Sequence, residues 1–434
     1  MNENTQVPRL QLDKSLRLYE RAVQIIPGGS QTNSKRPDGY VPGAFPIYLD
    51  RGKGCRVWDV DGNEYIDYIM ALGPVNLGYA YPGVNDAVRE QLEKATLMNL
   101  LSPLEVELAE EITKAVPCAE MVRFMKSGAE ATSACVRVAR GYTGREKVIS
   151  CGYHGWHDTF VAASANHRGV PDALHRLIRS FRYNDLESLK AILKEEGKEI
   201  ACIIMEPRTP PVDGFLEGVR ELADQHGVVL IYDEIVTGFR LALGGAQEYH
   251  GVTPDLSAFA KGMSNGLPLS AFVGKKEIMQ AAKDLVISTT YGGEALSLAA
   301  GVATIRELRE KNVFQHTWEM GQKLMDGWTD IGREFGLKLG TSGLAPIHAP
   351  TIDMGTPELT RDAWTFLLQE AAKRGVLFRR GGLNFISYSH KQEDIDRTID
   401  VCRSVAKIMK EALQKGDLAD RLETRDIKPS FRQF

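Results

Sequence analysis

The sequence predicts an α/β protein built on a mostly parallel sheet. The middle of the chain carries short runs rich in β-branched and aromatic residues, VRFM, KVIS, ACIIM, VVLIYD, LSAFA and SAFVG. Helical patterns separate several of them, the alternation expected of a parallel sheet. The runs are continuously apolar, as in strands covered on both faces.

The elements follow in order. Residues 12–26 read as a helix ended by Pro27-Gly28-Gly29, and a loop rich in Ser, Asn and Pro continues to Ala44. CRVWDV and EYIDYIM flank Asp61-Gly62-Asn63, the pattern of a β-hairpin. Residues 73–83 are broken by Gly and Pro and read as a loop. The helix–strand alternation begins at Val84. Ser102-Pro103-Leu104-Glu105 is a helix start, with a capping hydroxyl, a first-turn proline and a glutamate three residues on. After Ala300 come an amphipathic helix at 313–335, short strands at 337–354, a helix at 358–374, the runs VLF and NFISYS, and a last helix at 392–413.

The expected organisation is an N-terminal arm and hairpin (1–75), a large domain (76–310) and a smaller α+β domain (311–434) with which the arm packs. The charged tail, 416–434, is expected to be a surface strap. A chain of 434 residues is too long for one small domain.

The formal charge of −4 gives no reason to expect a nucleic-acid or membrane partner. No apolar stretch has the length of a membrane span, and the first residues lack the apolar core of a signal peptide. Six scattered cysteines show neither zinc spacing nor a disulfide framework, so a reducing cytoplasm is expected.

The chemistry lies at the predicted strand ends. Asp233 closes VVLIYD, and Lys261 follows LSAFA. Strand ends in open α/β sheets face the ligand crevice. An acid to hold a pyridinium nitrogen, a lysine to form a Schiff base and a helix start to take a phosphate are the minimum kit for pyridoxal phosphate. Burial disfavours a cationic lysine, and Schiff-base chemistry needs the neutral amine.

The helix start is Lys126-Ser127-Gly128-Ala129-Glu130, where Ser127 and Glu130 form a capping box and leave N–H groups for a phosphate. Tyr153, in YHGWHD after KVIS, is placed to stack on a heteroaromatic ring. Ile235 is placed against the ring's other face. His154 and His157 lack a third ligand nearby, and no HExxH pattern occurs, so no metal is expected. Glu206, after ACIIM, approaches the cofactor or lies at the surface. Thr289-Thr290-Tyr291-Gly292-Gly293-Glu294 offers further phosphate contacts or a plain capped loop. Singly, each feature is equally an ordinary strand end or cap, with Glu234 a rival to Asp233. Their common placement at the ends of strands in one sheet points to the cofactor.

These residues resemble a known family. The chain is similar to the fold-type I, class III aminotransferases, in the branch that holds glutamate-1-semialdehyde 2,1-aminomutase and related aldehyde and sugar aminotransferases. VWDVDGNEYIDYIMALGPVNLGYAYPGV, FMKSGAEATSACVRVARGYTGR, YHGWHD and YDEIVTGFRLALGGAQEYHGVTPDL carry the resemblance, which spans nearly the whole chain. It implies the type I fold, with a seven-stranded-type sheet, and a homodimer with shared active sites. It implies pyridoxal 5'-phosphate bonded to Lys261, with Asp233 on the ring nitrogen. Tyr153 and Ile235 would sandwich the ring, with Ser127, Gly128 and Ala129 on the phosphate. Thr290 would reach the neighbouring subunit's phosphate, and His154 and Glu206 would line the cofactor site.

Lys35 or Arg36 in SQTNSKRPDGY takes the place of a carboxylate-binding arginine. Tyr291-Gly292-Gly293-Glu294 stands where the aminomutase pattern has a serine-glycine-asparagine run. The setting of Lys261, AKGMSNGLP, also departs from that pattern, and the ending KPSFRQF resembles relatives acting on sugars or aminocyclitols. Lys35, Arg36, Trp156 and Glu294 are the expected substrate contacts. The expected reaction is amino transfer from a small-molecule donor to a sugar, aminocyclitol or amino-acid-like aldehyde or ketone. An intramolecular aminomutase and a non-catalytic protein of this fold are the alternatives.

Overall fold

The computed structural model describes residues 10–424. Within the chain two compact units form. Among the described residues, one comprises 10–72, Leu77–Ala80 and 315–424; the other comprises Gly73–Asn76 and Tyr81–Phe314.

The first unit opens with the helix Asp13–Ile25 and contains strands β1 (Leu49–Lys53), β2 (Arg56–Asp59) and β3 (Glu64–Asp67). β2 and β3 pair antiparallel, as the hairpin reading requires. Asp59 closes their turn by accepting from the N–H groups of Asp61 and Asn63 at 3.0 and 2.8 Å and from the Tyr65 hydroxyl at 2.8 Å. β1, which the sequence did not reveal, pairs antiparallel with β2. Three of its five residues are charged, and none is buried.

The second unit is built on seven strands. They are β4 (Met121–Met125), β5 (Lys147–Cys151), β6 (Ile178–Ser180), β7 (Ile200–Met205), β8 (Val229–Asp233), β9 (Leu256–Phe259) and β10 (Ser270–Gly274), in the order β4-β10-β9-β8-β7-β5-β6. Every residue of β7, β8, β9 and β10 is buried, as their unbroken apolar character requires. The pairs β9-β8, β8-β7, β7-β5 and β5-β6 are parallel. β10 runs antiparallel to both β4 and β9, because the connection from β9 is too short for a parallel crossover. The three-residue edge strand β6 was not legible in the sequence; only its first residue is buried.

The chain then returns to the first unit, where β11 (Leu339–Leu344) and β12 (Ile347–Ile352) form a hairpin and β13 (Val376–Leu377) pairs parallel with β3. NFISYS forms no strand. Instead it threads the core: Asn384 N–H donates to the His348 carbonyl and Phe385 N–H to the Tyr68 carbonyl, each at 2.8 Å. The helix Gln392–Lys415 packs its buried face on this core. Of the expected strap, residues 425–434, including KPSFRQF, lie outside the described residues, as do 1–9. Its earlier part is fastened to the helix Pro357–Lys373 by Glu423, through Lys373 and the Gln369 carboxamide, each at 3.0 Å. Among the described residues no helix is long and apolar enough to cross a membrane.

Two buried histidines give the first unit a pH dependence. His348 donates from Nδ1 to the Ala345 carbonyl at 2.9 Å, and His390 stacks on Tyr68 with ring centroids 4.7 Å apart. Burial pushes both down to about 4. An unfolded chain takes up protons at these positions as pH falls through about 6.5. Across that window the unfolded state therefore binds more protons, and stability falls with pH. Urea unfolding followed from about pH 7 to about pH 5 is expected to lose on the order of 1 kcal/mol per pH unit per histidine. His348→Gln should shallow the slope; an unchanged slope contradicts this origin.

Candidate active site

The residues singled out at strand ends gather at one edge of the seven-stranded sheet. Asp233 ends β8, Tyr153 and His154 follow β5, Glu206 follows β7, Lys261 follows β9, and Ser127-Gly128 follow β4. This is the carboxyl edge of the parallel strands, where ligands bind in open α/β sheets.

Asp233 is 3% exposed, and each of its carboxylate oxygens accepts a hydrogen bond. One carboxylate oxygen accepts from His154 Nδ1 at 2.7 Å, and the other accepts from the Ile235 N–H at 3.1 Å. His154 is itself buried. Its carbonyl accepts from Thr132 Oγ1 at 2.7 Å, and its ring meets Phe160 edge-on. Its Nε2 is buried with no hydrogen-bond partner among the described residues. Burial pushes the Asp233 carboxyl above the ordinary range, against the pull of His154, and the charge of Glu206 adds to the rise.

Glu206 has the opposite outcome in the same neighbourhood. Burial works to raise it. The Arg208 guanidinium, His154, the Tyr153 N–H and Lys261 overcome this and hold it below the ordinary range. It accepts from Tyr153 N–H at 3.0 Å and from Arg208 Nε at 3.4 Å. Asp233, His154, Glu206 and Lys261 thus form one electrostatic cluster.

Lys261 opens the short turn Lys261–Ser264 with φ +40°. That left-handed backbone costs a side-chain-bearing residue roughly 1–2 kcal/mol, so the surroundings must hold it.

The helix Gly128–Thr143 starts with the capping box that its sequence predicts. Ser127 Oγ accepts from Glu130 N–H at 3.3 Å, and Glu130 accepts from Ser127 N–H at 2.7 Å. The N–H groups of Gly128 and Ala129 have no acceptor among the described residues, so the helix start keeps donors and its dipole for an anion. Two close approaches fix this start. A Cβ on Gly128 would stand 2.6 Å from Ile235 Cδ1, and one on Gly155, at φ +109°, would stand 2.6 Å from Ala129 Cβ.

The remaining expected residues are dispersed. Thr290 is exposed, and Trp156 is 71% exposed. Glu294 caps the helix Ala295–Glu310 through the N–H groups of Leu296 and Ser297 and pairs with Lys126 at 2.8 Å. Lys35 and Arg36 belong to the other unit, Lys35 exposed and Arg36 beside Gly28. A cavity of about 550 Å³ is lined by Glu105, Arg123, Phe124, Thr289 and Gly292, and by none of the cluster residues. Glu234 is occupied elsewhere, accepting from Thr237 Oγ1 at 2.5 Å and from the N–H groups of Ala246 and Gln247. Sequence reading missed Arg208, two residues beyond Glu206 and paired with it.

The family model for class III aminotransferases matches residues 40–400. The chain belongs to the class III aminotransferases. This is a family of pyridoxal-phosphate enzymes. Its members include the 3-aminobutyryl-CoA aminotransferase of Cloacimonas acidaminovorans, 38% identical over 93% of this chain and 99% of that protein. The glutamate-1-semialdehyde 2,1-aminomutase of Syntrophobacter fumaroxidans is 37% identical, over 92% and 98%. Among solved structures, the pyridoxal-phosphate form of the FumI protein of Sphingopyxis sp. MTA144 superposes with a TM-score of 0.86 at 27% identity, over 93% of this chain and 98% of that one.

The packing of this aminotransferase's helix start is open to test. Gly155→Ala places a methyl against Ala129 at a backbone angle that disfavours it. Thermal unfolding should show a loss of about 1–3 kcal/mol; wild-type stability would mean the two segments are not in contact.

Proposed function

We propose that this class III aminotransferase carries an amino group from a small-molecule donor to an aldehyde or ketone acceptor, with Lys261 as the group that holds the cofactor and moves the proton. The observation that carries this reading is the cluster of buried Asp233, His154 and Glu206 with the half-buried Lys261 at the carboxyl edge of the sheet.

The residues suit pyridoxal phosphate. Burial pushes Asp233 toward its neutral form, and a protonated ring nitrogen supplies the opposite charge that favours the ionised form. Asp233 would accept that nitrogen's N–H, with His154 Nδ1 keeping the carboxylate oriented. Ser127, Gly128 and Ala129 would hold the phosphate. Tyr153 and Ile235 would flank the ring, and Ile235 already lies against Gly128. Glu206 would balance charge beside Lys261. Thr290 would reach the phosphate of a second subunit in a homodimer.

When bound, the cofactor supplies an electron-withdrawing ring that accepts the electron pair left as the substrate carbon loses its proton. The neutral Lys261 amine takes that proton as a general base and gives it back as an acid. Asp233 provides fixed negative charge opposite the ring's positive charge.

The resemblance to the 3-aminobutyryl-CoA aminotransferase supports transfer between two molecules. Similarity to the aminomutases supports a second reading, transfer within one molecule. Glu294 favours the first. Where the aminomutase pattern has asparagine after serine-glycine, this chain has a helix cap paired to Lys126.

Lys261→Ala is expected to lower kcat on the order of 10²- to 10⁴-fold while cofactor binding persists. Asp233→Asn should cost on the order of 10²- to 10³-fold. Full turnover in the lysine variant would refute the assignment. Donor consumption separates the two reactions. A keto product formed mole for mole with the aminated acceptor supports the aminotransferase, and isomerisation of one amino aldehyde with no added donor supports the aminomutase.

A further inference from the structure

We propose that Asn76 is a positioning residue for Lys261, its carboxamide acting as a strut between the turn that carries the lysine and the segment that follows Asp233. The inference rests on Lys261 being the cofactor lysine.

Asn76 ends the stretch Gly73–Asn76 and is 3% exposed. Its Nδ2 donates to the Phe239 carbonyl at 2.6 Å and to the Gly262 carbonyl at 3.5 Å. One side chain therefore joins the continuation of the β8 segment to the residue next to Lys261. The strut meets left-handed backbone at Phe239, φ +54°, and its other end lies one residue beyond left-handed backbone at Lys261, φ +40°. Conformations of this kind persist only where the surroundings enforce them.

The fit of the amide to the turn is close. A Cβ on Gly262 would collide with the Asn76 carboxamide, so glycine at 262 is what lets the amide reach that carbonyl. The stretch bearing Asn76 is anchored on the same segment a second time. Arg240, fully buried, donates to the Gly73 carbonyl and, at 3.0 Å, to the Val236 carbonyl. Two carbonyl acceptors also fix which way the amide faces, because the reverse would bring oxygen against oxygen. Asn76 Oδ1 is left buried with no partner among the described residues. A side chain placed this way is placed for its N–H groups.

The consequence reaches the amine through geometry. The backbone angles at Lys261 set the direction of its Cα–Cβ bond, and a misplacement of about 1 Å at a reacting group can cost on the order of 10²-fold in rate. A strut that fixes those angles sets where the amine meets its target and leaves substrate binding to other groups.

The test uses the full chain as wild type, Asn76→Leu, Asn76→Ser and Lys261→Ala, each stripped of cofactor. Thermal unfolding of the apoproteins reports the fold. Added pyridoxal phosphate reports the lysine, through the rate of covalent capture read by absorbance and borohydride trapping, and through the pH titration of the captured form. Asn76→Leu is expected to melt near wild type and to capture the cofactor on the order of 10- to 100-fold more slowly. Its titration should be displaced and its kcat lowered, with the donor KM unchanged. Asn76→Ser, which keeps one donor, should fall between. Wild-type capture and titration in variants that remain folded would overturn the proposal. So would failure of both variants to fold, which would assign Asn76 to the core alone. Should wild type bind the cofactor with no more covalent capture than Lys261→Ala, the reading of Lys261 fails, and the inference with it.

Discussion

The hydrogen bond between His154 and the buried carboxylate of Asp233 is the constraint around which the rest of the site is arranged. A carboxylate at the end of a strand buried along its whole length has no water to solvate it. Its charge survives only if donors are brought to it. Two arrive from the protein, the imidazole Nδ1 and the Ile235 N–H. Those donors still leave Asp233 raised, so the protein alone does not balance this charge.

The His154 end of the bond explains the neighbouring architecture. The imidazole can meet Asp233 only if the segment after β5 is held against the helix Gly128–Thr143. Thr132 does this through the His154 carbonyl, and Gly155 does it by letting the chain lie on Ala129. The same contacts set the start of the helix Gly128–Thr143. The acid, the imidazole and the helix start are therefore one packed object, and a change that moves one moves the others.

The two carboxylates of the cluster differ because their neighbours differ. Glu206 has an arginine two residues away and the lysine nearby, so it is held in its charged form. Asp233 has only the imidazole and a backbone N–H, with Glu206 opposing it. Equal burial with unequal partners pushes the two in opposite directions. That divergence leaves Glu206 charged and Asp233 short of positive partners.

Much of this was legible in the residues. Apolar runs marked the covered strands β7 to β10, because burial on both faces favours apolar side chains, whereas VRFM forms β4 with only Met125 buried. Ser127 with Glu130 and Ser102 with Glu105 announced their helix starts, because a cap is made by neighbours in sequence. Asp233 and Lys261 stood out because a charged residue at the end of an apolar strand is a local signal. What the sequence could not determine were contacts made between distant segments. The antiparallel course of β10, the pairing of His154 with Asp233, the arginine beside Glu206 and the placement of Asn76 between Phe239 and Gly262 depend on which strands become neighbours. So does the ion pair of Glu294 with Lys126. Local pattern set the elements and the cofactor chemistry by itself. The tertiary structure alone decided which charges and carbonyls meet, because hydrogen bonds and ion pairs act over a few ångströms of space rather than along the chain.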